Sequence, residues 1–276
     1  MQASFHESIL GRTGLPVKRL GLSTSYFPGK KAVHYALDHG VNFFFGYGWD
    51  RQMMRVLRDL SPAQRQGLVI ATGGYNWILF HSNLRKALEK RLRQLHTDCL
   101  DVFLFLGVMK PKQYSEAITA EMIRFREEGK VRAIGLSCHD RKFLGELAER
   151  GDHDVLMQRY NAVHRGAEQD IFPHLATHHP GVVSYTATAW TKLIRRPKKY
   201  PKDARLPTAG EAYRFVLSNE NVNVCLTAPM NLKQLKANLA AVEEGPLLPE
   251  DMAFMRNFGD FVHEGSKALK WDERHS

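Results

Sequence analysis

The chain has 276 residues, 43% of them hydrophobic and 25% charged, with a formal net charge of +10. That balance excludes disorder and collagen-like repetition, and a chain of this length has room for a large buried core. The longest apolar run, Val102 to Met109, is far shorter than the ~20 residues a membrane helix needs, so no membrane partner is expected.

The opening MQASFHESILGRTG has no basic stretch ahead of an apolar one, so a secretory leader is not expected. Cys99, Cys138 and Cys225 show neither zinc spacing nor an even count for pairing, which points to a reducing, cytoplasmic setting. The positive charge suits an anionic small ligand. It is spread along the chain rather than gathered, so a nucleic-acid partner is not expected. Arg85, Lys86, Lys90, Arg91 and Arg93 alternate with apolar positions on one predicted helix, the pattern of a solvated face. RRPKKYPK, Arg195 to Lys202, is dense; its two prolines predict a solvated surface loop, with a phosphate clamp as the functional alternative.

Short β-branched or aromatic runs alternate with longer segments of helical apolar spacing. The predicted pairs, strand first, are 20–24 with 31–38, 41–47 with 50–60, 68–72 with 83–95 (Ser82 as the N-cap), 100–106 with 113–128, and 131–137 with 141–150. They continue as 155–160 with 168–177, 182–186 with 210–218 after a long loop, and 222–227 with 232–243. Eight strand–helix units with nearly continuous apolar strands describe a parallel sheet buried on both faces. At this length the expected class is α/β, closed into a (β/α)8 TIM barrel. An open doubly wound sheet is the alternative, but no G-x-G-x-x-G follows any strand. Residues 1–18, turn-rich at Gly11 to Gly14, predict an N-terminal β-hairpin closing the barrel's bottom. Residues 249–265 predict an extra C-terminal helix, and 1–276 reads as one domain.

Six stretches in this order carry a family resemblance: LGRTGLPVKRLGLST (10–24), HGVNFFFGYG (39–48), LEKRLRQLHTDCLDVFLF (88–105), EEGKVRAIGLSCH (127–139), MQRYNAVHRGAEQDIFPHL (157–175) and LKQLKANLAAV (232–242). Along nearly its whole length the chain resembles the aldo-keto reductases. The resemblance implies NADP(H)-dependent reduction of aldehydes and ketones at the C-terminal strand ends. A tyrosine donates the proton, a lysine paired with an aspartate assists it, and a histidine orients the carbonyl. Here the tyrosine's place is Tyr47, in Tyr47-Gly48, three residues closer to its strand than the family has it. Phe45 stands at the aspartate's place, Gly73 at the lysine's and Leu106 at the histidine's. A phenol has an ordinary pKa near ~10 and needs help to give up its proton at neutral pH. Losing such assistance costs a factor of roughly 10²–10⁴. The replacements are mutually consistent, because an aspartate without its lysine would be a buried unpaired charge.

Carried over position by position, the resemblance assigns the nicotinamide amide to Ser137 and Gln158, with Cys138 where an asparagine is usual. It assigns the stacking aromatic to Tyr185 and the adenine end to Asn238. Ala228 and Gln234 replace basic partners of the 2′-phosphate, and Lys233 or Lys236 offers a substitute charge. Gln158 and Tyr185 also read as ordinary interior residues.

Cys138-His139 could make an activated thiolate, but neighbouring strand residues point to opposite faces. His174 and His178 have i, i+4 spacing without a third ligand, and no metal site is predicted. Tyr75, Trp77, Phe80 and Trp190 could stack on a ligand ring or form an apolar lid. Three functions remain open: an oxidoreductase without the usual Asp/Lys/His members, a catalytically inactive NADP(H)-binding sensor or partner subunit, and a barrel enzyme of other chemistry through Cys138, His139 or Tyr47. A homo-oligomer is compatible with each.

Overall fold

The computed structural model describes residues 4–47, 50–75 and 83–265. An antiparallel hairpin, β1 (Glu7–Ile9) and β2 (Pro16–Lys18), precedes eight strands: β3 (Leu20–Ser23), β4 (Phe43–Phe45), β5 (Val69–Tyr75), β6 (Leu100–Val108), β7 (Val131–Cys138), β8 (Val155–Arg159), β9 (Gly181–Tyr185) and β10 (Val224–Thr227). These eight close into a barrel in the order β10-β3-β4-β5-β6-β7-β8-β9, with every neighbouring pair parallel. The helices are α1 (Lys30–Asp38), α2 (Arg51–Arg58), α3 (Pro62–Arg65), α4 (Leu84–Leu95), α5 (Glu116–Glu127), α6 (Arg141–Arg150), α7 (Ala167–Asp170), α8 (Ala209–Leu217), α9 (Leu232–Glu243) and α10 (Pro249–Glu264). The chain is a (β/α)8 barrel with an N-terminal hairpin, and α10 is the extra helix.

Side-chain alternation sorts the strands into two cores. One cluster contains no helix residue: Phe43, Phe45, Val69, Ala71, Val102, Leu104, Leu106, Ala133, Val155, Met157, Val183, Val224 and Leu226 fill the barrel interior. Leu10, Leu15 and Val17 join it from the hairpin, so the hairpin plugs the barrel's N-terminal end. Gly11 lets it approach: its φ is +49°, and an added Cβ would lie 2.2 Å from the Gly181 nitrogen. Alternate strand residues such as Leu22, Phe44, Ile70, Phe103, Leu136 and Leu156 pack outward against the helices.

Helix starts follow local capping chemistry. Asp50, Asn83, Asp140, Thr208 and Asn231 each accept a backbone N–H of the first turn of α2, α4, α6, α8 and α9. Ser82 lies outside the described residues. Three expectations change. The segment 168–177 is the four-residue α7 followed by a 3-10 turn at Phe172–His174, because Pro173 lacks the N–H a longer helix needs. Strand β5 runs three residues further, through Gly73 and Gly74 to Tyr75. Arg91 is buried within α4 rather than solvated. No helix among the described residues is long and apolar enough to cross a membrane.

Candidate functional site

The C-terminal strand ends form the mouth at which barrel enzymes place their chemistry. Register fixes what faces it. Ser23 lies opposite Phe45, Gly73 opposite Leu104, Tyr75 opposite Leu106, Ser137 opposite Met157 and Arg159 opposite Tyr185. All share the inward parity of the interior cluster. A cavity of about 210 Å³ opens there, between β3, β4, β9 and β10. Eight of its twelve lining residues carry a hydroxyl: Ser23, Ser25, Tyr26, Tyr47, Tyr185, Thr186, Thr188 and Tyr213. None is charged.

The floor beside the cavity is apolar. Phe45 and Leu106 are 1% and 2% exposed. At Gly73 an added Cβ would stand 2.1 Å from the Leu104 carbonyl oxygen and 3.0 Å from the Leu106 side chain. No side chain fits there without separating β5 from β6. Tyr47 projects one pleat above Phe45, whose ring meets it edge-on at 4.9 Å. Its oxygen accepts a hydrogen bond from Ser25 Oγ at 3.3 Å. The Tyr75 ring stacks on Tyr47 at 5.7 Å. Burial foremost, then the Tyr47 contact, pushes the Tyr75 phenol well above its ordinary range. Arg91, 4% exposed, donates from Nη2 to the Tyr47 carbonyl at 2.8 Å and from Nη1 to Gln94 at 2.7 Å. It fixes the backbone that carries the phenol.

The nucleotide candidates divide. Ser137 and Tyr185 face the mouth together from neighbouring ends of the barrel wall, and the Ser137 hydroxyl acts on the Tyr185 phenol. The Tyr185 hydroxyl also lies 3.4 Å from His139 Nε2, and burial keeps it protonated far above neutrality. Gln158 is not brought to the mouth. It has the outward parity of Leu156, and its buried amide oxygen and nitrogen have no hydrogen-bond partner among the described residues. Asn238 is buried and donates to Thr227 Oγ1 at 3.0 Å, tying α9 to the end of β10. Gln234 turns back to accept the Met230 N–H at 2.8 Å. The Lys236 ammonium sits over the Tyr35 ring, 4.8 Å from its centroid, while Lys233 is exposed at the start of α9.

Two mouth features were not singled out by any motif in the sequence. Arg159 ends β8 facing inward, 7% exposed, with its guanidinium 5.6 Å from the Trp190 ring centroid. The alternation of Val155 and Met157 could have located it. Downstream, Thr186, Ala189, Trp190 and Thr191 all have positive φ, between 47° and 70°. Non-glycine residues enter that region at a cost, and such strain concentrates at ligand-binding loops. Asn161 Nδ2 holds the turn by donating to the Thr186 carbonyl at 2.8 Å.

Comparison with known proteins settles the family. A family model described as "Aldo/keto reductase family" matches residues 23–260. The chain belongs to the aldo-keto reductase family. Among curated relatives, L-galactose dehydrogenase of Arabidopsis thaliana is 24% identical, over 95% of each chain. Among solved structures, an aldo-keto reductase from Bacillus halodurans in its holo form superposes with a TM-score of 0.76, at 21% identity, over 91% of this chain and 95% of that one. An aldo/keto reductase from Klebsiella pneumoniae in complex with NADP and acetate gives 0.74 at 20% identity, over 92% and 95%. At these identities the superpositions show the fold.

The remaining candidates of this aldo-keto reductase chain are structural in their surroundings. Cys138 points outward into the helix-facing core, and burial pushes its thiol up to about 12, away from nucleophilic thiolate chemistry. His139 points the other way, toward Tyr185. His174 pairs with Glu149 at 2.6 Å from a 3-10 turn, so it shares no helical face with His178. Among the described residues no three metal-ligating side chains converge. In the basic loop, Arg196 donates to the Ala204 carbonyl at 3.0 Å, and Tyr200 packs edge-on against Phe258 and Phe261 of α10. Trp77 and Phe80 lie outside the described residues.

Proposed function

We propose that this aldo-keto reductase-family chain is an NADP(H)-dependent oxidoreductase of aldehydes and ketones that works without the Asp, Lys and His members, with Tyr47 as its proton donor. One observation carries the reading: Tyr47 and Tyr185 line the same mouth cavity, whose wall is otherwise rich in hydroxyls and free of charge. The residues present fit the nicotinamide end of the cofactor. Tyr185 offers a ring face, Ser137 a hydroxyl for the amide, and the strained turn after β9 a bed for the linker. At the adenine end Asn238 and Lys236 are engaged elsewhere, which leaves the exposed Lys233 to meet a 2′-phosphate. When bound, the dinucleotide supplies the hydride. The protein's part is to seat the carbonyl over the Phe45–Leu106 floor, exclude water there, and present the Tyr47 O–H to the carbonyl oxygen. The NADP complex of the Klebsiella pneumoniae aldo/keto reductase supports this choice of cofactor.

The test is twofold. NADPH should quench intrinsic fluorescence and raise the melting temperature. NADPH oxidation over a panel of aldehydes should be slow and should vanish in Tyr47→Phe. A second reading, a nucleotide-responsive barrel with no turnover, is favoured by Gly73, whose surroundings admit no cationic side chain. NADPH binding without oxidation of any aldehyde would select it.

A further inference from the structure

Half of the chain's net charge of +10 sits in eight residues: Arg195, Arg196, Lys198, Lys199 and Lys202 carry five charges, and no acid lies between Arg195 and Lys202. All five are exposed. Arg85 meets Glu121 and Glu128, Lys130 meets Glu89 and Arg214 meets Glu244, whereas none of the five forms an ion pair among the described residues. The loop that carries them, between β9 and α8, is braced from within. The Tyr200 N–H donates to the Pro197 carbonyl at 3.2 Å and the Ala204 N–H to the Pro201 carbonyl at 3.3 Å, which closes two consecutive turns. Arg196 donates to the Pro201 and Ala204 carbonyls and lies 5.8 Å from the centroid of the Tyr200 ring. That ring meets Phe258 and Phe261 of α10 edge-on, at 4.9 and 5.1 Å. Lys199 is held at a φ of +70°, where a non-glycine residue stands only at a cost. Arg196 therefore belongs to the brace. Arg195, Lys198, Lys199 and Lys202 are left in water, close together although like charges repel.

We infer that Arg195, Lys198, Lys199 and Lys202 form a docking patch for an acidic polypeptide segment of a partner protein. The loop follows the C-terminal end of β9, so a partner docked there sits on the same end of the barrel as the mouth. None of the four lines the mouth cavity, so the patch is a second binding surface and stands apart from the reading of Tyr47 and the cofactor. The chemistry favours carboxylates on a narrow chain over the other polyanions. Single-stranded nucleic acid binds by stacking its bases on aromatic rings, and the one ring of this loop is turned inward onto α10. A duplex or an anionic bilayer presents a broad field of phosphates. The helix against which the loop packs opposes such a field with the exposed Glu250 and Glu264. An extended acidic segment is narrow enough to meet the four cations alone, its carboxylates pairing with one guanidinium fork and three ammonium groups. It would also relieve the repulsion among them.

The experiment is fluorescence anisotropy of a fluorescein-labelled deca-glutamate peptide titrated with the full-length protein. Saturable binding is expected at low salt. It should weaken steeply between about 0.01 M and 0.15 M ionic strength, as the screening length contracts from ~30 Å to ~8 Å. Replacing the four cations together (Arg195→Gln, Lys198→Gln, Lys199→Gln and Lys202→Gln) should cost roughly tenfold in affinity, as expected of four exposed ion pairs. A control with the same net charge, Lys31→Gln, Lys86→Gln, Lys90→Gln and Lys112→Gln, removes four exposed lysines elsewhere and should bind within about twofold of wild type. Both quadruple variants should melt at the wild-type temperature or above, which separates lost docking from lost folding. Equal loss in the two variants would show attraction by net charge alone and overturn the proposal. Absence of saturable binding, or binding indifferent to salt, would do the same. Three competing probes complete the test. Tighter binding of an oligothymidylate or a DNA duplex through the same four residues would reassign the patch to nucleic acid. Tighter binding of phosphatidylserine-containing vesicles would reassign it to a membrane surface. Displacement of the peptide by equimolar inorganic phosphate would reassign it to a small anion. Each of these three results contradicts the proposal.

Discussion

An added Cβ at Gly73 would stand 2.1 Å from the Leu104 carbonyl oxygen, where contact of any kind is repulsive. A lysine placed at this position therefore cannot bring an ammonium beside Tyr47 without forcing two strands apart. Gly73→Ala should destabilise the protein by about 1–3 kcal/mol, the usual range for overpacking, with a lower melting temperature in a thermal scan. A neutral effect would show that the β5–β6 contact yields easily. His153 makes a second prediction at this scale. Its ring is buried, with Nε2 3.2 Å from the Tyr114 hydroxyl, and burial pushes its pKa down to about 4. The unfolded chain, with histidine near ~6.5, binds the proton more readily over that interval. Stability should be complete above about pH 6.5 and fall by on the order of 3 kcal/mol as pH drops toward 4. His153→Phe should lessen that slope of a melting-temperature profile, leaving the part due to His164, which burial likewise pushes down.

At the scale of elements, the strands were legible because each is apolar on two faces and followed by helical spacing. Their starts and ends shifted by one to three residues where local chemistry outweighed pattern, as at Pro173 and in the glycine extension of β5. The candidate site was legible in part, and parity decides which part. Ser137 and Tyr185 lie an even number of residues from inward neighbours and reach the mouth; Gln158 lies one residue off and faces the helices. A motif match carries no information about which face a residue takes, whereas a one-residue shift in a strand reverses it. Arg91 was misplaced for a related reason. Basic residues on a helix usually face water, but this one has a carbonyl to meet on the β4 side. Ser25 could not be assigned from sequence, and Tyr75 read only as a stacking or lid residue, because their contacts with Tyr47 join three separate segments. Arg91→Met should leave the Tyr47 carbonyl without that donor and cost about 1–3 kcal/mol in denaturant unfolding, while Lys90→Met should cost little.

Across the whole molecule the barrel separates two tasks. Its N-terminal end is sealed by the hairpin, through Leu10, Leu15 and Val17, and its C-terminal end carries the cavity. Leu15→Ala should lower stability by about 2–5 kcal/mol through the cavity it leaves, yet leave nucleotide affinity little changed because the hairpin seals the end of the barrel opposite the mouth. On the function proposed above, Tyr185 and Ser137 serve the nicotinamide side of the mouth, and Phe45, Gly73, Leu106 and a set of hydroxyls stand where the family resemblance implies ionic groups. The most direct test is a calorimetric titration of the full-length protein with NADPH. Saturable one-to-one binding, weakened at least tenfold in Tyr185→Ala and little changed in Tyr47→Phe, is the expected result. The absence of saturable heat, or equal binding by Tyr185→Ala and wild type, would contradict it.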